Sequence, residues 1–224
     1  MDSLALNNPG TTILAMGNDA IVRGGLEAGL GYFSTYPGTP ASEIGEGYFR
    51  LKKHFPHIHA EFSVNEHVAA HGAQGASWAN IRSMVTMKHV GMNVAAEVLH
   101  FAGYTGVRAG FVVVIGSDPG ATSSTSEQDD RWYSLHTHLP ILEPSTIQEA
   151  KDYTIQAFHL SEKYDLPVII NAPSKLCHNI GSLVLGELPT EIPVKGNIER
   201  NPTRYINLFA GSVANHRREV ENAH

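Results

Sequence analysis

Glu66 is the residue best placed for chemistry. Its carboxylate opens a segment of helical period in which Ala69, Ala70, Gly72, Ala73, Gly75, Ala76 and Ala79 recur, and the positive end of a helix dipole favours an anion at such a start. A first-turn glutamate that stabilises its own helix accounts for the carboxylate alone. It leaves unexplained why the helix behind is so thin, a feature that predicts a ligand or a subunit packed against it. Lys88 and His89 directly follow an apolar run. A lysine there holds an anion or pairs with a carboxylate such as Glu66, an ordinary salt bridge being the simpler reading. His67 and His71 are four residues apart, on one helical face, as a zinc pair would be. Their order with Glu66 departs from the H-E-x-x-H protease pattern, so a structural or solvent-facing role is expected for both. His57/His59 and His136/His138 are each two apart with no Asp or Cys at ligand spacing, and no metal site is expected from them. The single cysteine, Cys177, excludes an internal disulfide and any four-cysteine cluster within the chain.

The composition bounds what can carry these groups. With 224 residues, 42% hydrophobic and 17% charged, the chain suits one globular unit with a sizeable core and is neither disordered nor collagen-like. Sixteen basic against twenty-two acidic side chains give a net charge of −6 without a basic cluster, so nucleic acid is not an expected partner. No basic segment followed by an apolar run opens the chain, and no apolar stretch of about 18 residues occurs. Neither a signal peptide nor a membrane span is predicted, and a cytoplasmic location is expected.

Short apolar runs alternate with segments of helical period. Asn18 or Asp19 is expected to cap a first helix ending at Gly29 or Gly31, followed by a strand over Tyr32 to Tyr36. A helix follows from about Ala41 to Lys53, then a strand over Ile58 to Phe62. Ser63 or Asn65 caps the thin helix. Ser83 to Met87 reads as a buried strand and Val90 to Phe101 as a helix. Phe111 to Ile115, five consecutive β-formers without alternation, is expected to be a parallel strand covered on both faces. The polar stretch Gly116 to Asp130 is long enough for a functional loop. Ile147 to Tyr164 reads as an amphipathic helix capped by Ser145 or Thr146, and Pro167 to Ile170 as the last strand. About six strands interleaved with helices predict an α/β fold, one parallel sheet with helices on both faces. From His178 onward this rhythm is lost. A possible strand near Ser182 to Leu185, the turn-rich segment Pro189 to Pro202 and a charged end suggest either an extended arm against another chain or domain, or a loosely packed extension.

Ligands of an open parallel sheet gather at the carboxyl ends of its strands. Four polar segments occupy such positions: Tyr36 to Pro40, Ser63 to Glu66, Met87 to Gly91 and Gly116 to Gly120. They are expected to converge on one rim. No G-x-G-x-x-G, P-loop or G-x-S-x-G elbow is present, which removes dinucleotide, P-loop and hydrolase readings.

In order and spacing, Tyr36 to Ile44, Ser63-Val64-Asn65-Glu66, Val85 to Ala96, Asp118-Pro119-Gly120 with Glu127-Gln128-Asp129, and Leu142 to Ser145 with Gln148-Glu149-Ala150 resemble the N-terminal domain of indolepyruvate:ferredoxin oxidoreductase α subunits. These are thiamine-diphosphate-dependent 2-oxoacid:ferredoxin oxidoreductases, and the likeness covers roughly residues 11 to 220. The resemblance implies a pyrimidine-binding domain of the thiamine fold over 11–178. It leaves 179–224 as a C-terminal extension, packed on a partner chain or domain. It implies that Glu66 hydrogen-bonds N1′ of the aminopyrimidine, favouring the imino tautomer that removes the C2 proton. Lys88 and His89 would contact cofactor or substrate, Thr39 would face the 2-oxoacid, and Arg131 would be a candidate for the substrate carboxylate.

The chain departs from the pattern in two ways. After the last strand it carries Asn171-Ala172-Pro173-Ser174-Lys175, where family members usually have Arg and Thr, which implies a different substrate preference. The Gly-Asp-Gly…Asn-Asn pattern that holds Mg²⁺ and diphosphate is missing, as are cluster cysteines, whereas the family's longer α subunits continue into domains that carry them; those groups are expected on a partner, with the missing domains either on a neighbouring chain or cut away. The expectation is therefore a pyrimidine-domain subunit, natural or truncated, of a homo- or hetero-oligomer. It would act with subunits carrying the diphosphate site and iron-sulfur clusters, with coenzyme A and with ferredoxin, to give an acyl-CoA. A subunit of a split 2-oxoacid decarboxylase of the sulfopyruvate type, or a non-catalytic scaffold of the same fold, stands as the alternative.

Overall fold

A computed structural model describes residues 2–190 and 196–223. In chain order the first elements are β1 (Thr12–Met16), α1 (Gly17–Glu27), β2 (Tyr32–Thr35), α2 (Ser42–Leu51), β3 (His59–Phe62), α3 (Glu66–Trp78), β4 (Ser83–Lys88) and α4 (His89–Thr105). They are followed by β5 (Phe111–Ser117), α5 (Trp132–Thr137), β6 (Ile141–Leu142), α6 (Ile147–Tyr164), β7 (Val168–Pro173), α7 (Ser174–Cys177), β8 (Ile180–Val184), α8 (Pro202–Tyr205) and α9 (Ala210–Ala223). Six strands form one parallel sheet in the order β3-β2-β4-β5-β7-β6. The expected α/β sheet with helices on both faces is present.

The central strand shows why. Every residue of β5 is buried, and its side chains alternate between two cores. Val112 and Val114 join Ile21, Phe158 and Ile170 beneath α1, α2 and α6. Phe111, Val113 and Ile115 join Ala70, Ala73, Met92 and Leu99 beneath α3 and α4. Each such aliphatic residue contributes about 1.5–3 kcal/mol by leaving water, so the run without alternation is stable only between two helical layers. Helix α6 begins at Thr146, one of the two expected caps, and the structure makes it a capping box: Glu149 N donates to Thr146 Oγ1 at 3.1 Å, and the Glu149 carboxylate accepts from Thr146 N at 3.3 Å.

Sequence and structure differ at three places. Asn18 does not cap α1, whose N-cap is Met16; its amide is buried instead, donating to Pro40 O at 2.8 Å and Glu43 Oε2 at 3.0 Å. The strand near Ser182 to Leu185 is β8, but it lies outside the main sheet. It pairs antiparallel with β1, a strand whose half-exposed pattern, with Leu14 at 75%, gave no buried run to read. β6 is two residues long, too short for a periodic signal.

Of the 179–224 segment, residues 191–195, within the turn-rich Pro189 to Pro202 stretch, lie outside the described residues. The rest returns to its own domain. Arg204 donates to Thr105 O at 2.9 Å and Val107 O at 2.6 Å and pairs with Asp165. Tyr205 packs on Trp78, and His216 stacks on Tyr104. Among the described residues no helix is long and apolar enough to cross a membrane.

One charged node ties α1 and α6 to the segments that flank β1 and β8. Arg23 is fully buried; it donates to Glu27 Oε1 at 2.6 Å, to Leu4 O and Leu6 O, and to Gly186 O at 2.7 Å. Glu27 also accepts from Lys151 of α6 at 3.0 Å. Removing one partner of a desolvated pair leaves the other charge and several carbonyls without a donor. Arg23→Ala is therefore expected to lower unfolding stability by about 3–5 kcal/mol, read from urea denaturation; a loss below about 1 kcal/mol would show that the node is dispensable.

Candidate functional site

Because the strands are parallel and in register, their carboxyl ends share one edge: Thr35 lies opposite Phe62 and Thr86, and Lys88 opposite Gly116. The four polar segments therefore meet on one rim, as expected. Asn65 caps α3, its Oδ1 accepting from Val68 N at 2.9 Å. With the cap supplied by its neighbour, the Glu66 carboxylate is not spent on its own helix. Among the described residues it has no hydrogen-bond or ion-pair partner, and it is half-buried. It lies on the first turn of α4 at Gly91, where a Cβ would come within 2.6 Å of Glu66 Cγ. Only glycine admits this approach.

Lys88 does not pair with Glu66. Its ammonium donates to Ser123 O at 2.8 Å, and the loop after β2 rests on its stem, since a Cβ at Gly38 would lie 2.8 Å from Lys88 Cβ. Thr39, the next residue, is exposed at the rim. His89 is 1% exposed, with Nε2 3.0 Å from Ser126 O. A carbonyl only accepts, so Nε2 carries the proton and Nδ1 is left as an acceptor; that atom is buried without a partner.

The loop that reaches Lys88 and His89 is shaped by Asp118, a motif residue to which the sequence assigned no role of its own. Its carboxylate accepts from Ser123 N at 2.7 Å, Ser124 Oγ at 2.5 Å and Ser174 Oγ at 3.0 Å. These bonds, the Ser124 hydroxyl first among them, hold its carboxyl far below the usual carboxylate range. Gln128 extends the tie by donating to His89 O at 3.0 Å while accepting from Asn93 at 2.9 Å.

Arg131 lies apart from this group. It forms a two-pronged, exposed pair with Asp129 at 2.8 and 2.7 Å, which pulls the Asp129 carboxyl down. It lines a cavity of about 590 Å³ with Ser117, Glu127, Asp130, Glu143 and Asn171. Thr39, Glu66, Lys88 and His89 do not line it. The rim thus gathers four of the five sequence-derived site residues and leaves Arg131 in an acidic pocket beside them.

Residues 23–208 match the family described as "Pyruvate flavodoxin/ferredoxin oxidoreductase, thiamine diP-bdg". The chain belongs to this family. It is 46% identical over 204 residues to indolepyruvate oxidoreductase subunit IorA of Archaeoglobus fulgidus, a match covering 90% of this chain and 33% of that protein. The same subunit of Pyrococcus horikoshii is 43% identical over 213 residues, covering 93% of this chain and 33% of the relative. The 2-oxoglutarate synthase subunit KorA of Methanothermobacter thermautotrophicus is 30% identical over 82% of this chain and 48% of its own length. The chain thus spans about a third of the length of the indolepyruvate oxidoreductase subunits it matches. In fold it is similar to a 2-oxoglutarate:ferredoxin oxidoreductase from Magnetococcus marinus, at 20% identity and a TM-score of 0.72, over 95% of this chain and 44% of that one.

Within this thiamine-diphosphate-binding family domain, two contributors were hidden in the sequence. The Gly91 contact was unreadable because the α3–α4 approach that requires glycine is tertiary. Asp118 had a local signal, an aspartate followed at five and six residues by serines able to donate to it. A carboxyl held low in the folded state contributes stability above its ordinary value of 3.8 and loses it as pH falls through the folded value. Asp118→Asn is expected to speed amide exchange across 119–126 by about tenfold at neutral pH, the effect of one lost charge-assisted bond. Acidification below 3.8, after correction for intrinsic exchange, should loosen the wild-type loop but not loosen the variant further. Equal rates in both proteins at neutral pH would remove Asp118 as the organiser of the loop.

Proposed function

We propose that this chain supplies the pyrimidine side of a thiamine-diphosphate site in a 2-oxoacid:ferredoxin oxidoreductase. The observation that carries the reading is the free Glu66 carboxylate, half-buried and seated on Gly91 at the rim of a thiamine-diphosphate-binding family domain. An aminopyrimidine protonated at N1′ presents an N–H donor to a carboxylate, and Glu66 is a rim carboxylate without a partner among the described residues. When bound, thiamine diphosphate would supply the carbanion-stabilising centre on which a 2-oxoacid loses CO₂.

The chain's own residues then divide the work. Glu66 would accept a hydrogen bond from a protonated N1′ and so hold the proton there. Asn65 fixes the helix start from which Glu66 projects, and Gly91 lets α4 approach closely enough to hold it. Lys88 and His89, pinned by the Asp118 loop, wall the site on the β4 side. Thr39 faces the 2-oxoacid from the loop after β2. Arg131 would meet a substrate carboxylate only by exchanging Asp129 for it.

The domain proper is taken as 11–178, with 179–224 as an extension able to add contacts to a partner. Partner chains, or domains of the same protein beyond this segment, would hold Mg²⁺, the diphosphate and iron-sulfur clusters, within a cytoplasmic homo- or hetero-oligomer that uses coenzyme A and reduces ferredoxin. The relatives' names favour this redox reading over a non-oxidative decarboxylase, and favour an aryl pyruvate such as indolepyruvate as the 2-oxoacid.

In the assembled complex, Glu66→Gln is expected to lower kcat by about 10²–10⁴ while assembly, followed by gel filtration, is unchanged. Full activity in that variant would make the chain a scaffold. The isolated chain with added cofactor should not decarboxylate indolepyruvate; turnover by it would overturn the divided site.

A further inference from the structure

We propose that the outer face shared by α3 and α4 carries a divalent-cation site of the zinc type, formed by His67, His71 and Glu97. One ligand atom from each of the three lies within 4.8 Å of the other two. His71 Nε2 is 4.0 Å from Glu97 Oε2, and the His67 and His71 rings meet edge to face with centroids 4.6 Å apart. The spacing of His67 and His71 suits a zinc pair, but their order with Glu66 gave a structural or solvent-facing role as the expectation. The third donor changes that reading, because Glu97 is brought in by the packing of a second helix.

The donor set suits zinc. Two imidazoles and a carboxylate form the mixed nitrogen and oxygen set that zinc accepts, whereas magnesium and calcium prefer oxygen throughout. Zinc bonds of roughly 2.0–2.2 Å place tetrahedral ligand atoms about 3.4 Å apart, so each donor needs to move by roughly 1 Å or less. The side chains of His71 and Glu97 are 45% and 69% exposed, free to make that adjustment. The helices beneath them are fixed by the buried contact of Ala70, Ala73, Met92 and Ala95, so the donors stand on rigid supports. Three protein ligands leave a fourth position for water or an added donor. Glu66, next to His67 in sequence, lies on Gly91 instead and takes no part.

The test uses the full chain, without a histidine tag and stripped of metal, titrated with cobalt(II) and with zinc. Saturable binding of one equivalent is expected, with visible cobalt bands and a melting temperature that rises with zinc concentration. His71→Ala and Glu97→Ala should each weaken binding by more than about tenfold, since even outer partners of metal ligands cost that much. Both residues are exposed, so metal-free melting should match the wild type. His136→Ala, which removes the nearby His100–His136 contact of 3.0 Å, should leave binding unchanged. Absence of saturable binding, wild-type affinity in the His71 and Glu97 variants, or loss of binding in the His136 variant would each overturn the site.

Discussion

The requirement that both faces of β5 be covered governs the rest of the molecule. A parallel strand sends alternate side chains into two cores, and only helices returning between successive parallel strands can close both. Each return carries the chain back to the same starting edge, so every strand ends on the opposite one. The meeting of four polar segments at one rim is a consequence of how Val112 and Val113 point in opposite directions, not a separate property of those segments.

At that rim, chemistry depends on how closely α3 and α4 approach. Small residues line the contact, and Gly91 takes the place where any side chain would displace Glu66. A carboxylate at a helix start ordinarily caps that helix or pairs with a nearby cation. Here Asn65 provides the cap and Ser123 takes the Lys88 ammonium, which leaves Glu66 with unspent hydrogen-bonding capacity. The buried His89, with one nitrogen satisfied and the other not, has the same character. Both groups are held in place by neighbours that satisfy competing demands.

Much of this was legible in the sequence where the signal is local. The β5 run, the Thr146 cap and the Asn65 cap rest on residues close in sequence, and the ordered motifs pointed to the family that residues 23–208 match. What escaped depends on tertiary approach. Asn18 looks like a helix cap until Pro40 and Glu43 are brought beside it. Leu14 is exposed because β1 pairs only with β8, so it leaves no core pattern to read. Arg131 looks available until Asp129 takes its guanidinium, and Glu97 joins two histidines 26 and 30 residues earlier only through helix packing.

The Arg23 node has a meaning beyond its own bonds. One guanidinium accounts for the carbonyls of Leu4, Leu6 and Gly186 while neutralising a carboxylate that also meets Lys151. The segments that flank the β1–β8 ribbon, which shares no hydrogen-bonded strand with the main sheet, are thereby tied to α1 and α6, while Ala15 and Leu183 of the ribbon itself pack into the apolar core. Opening either part strands a charge in a dry interior. The ends of the ribbon and the helical layer are thus coupled through one buried charge as well as through apolar packing.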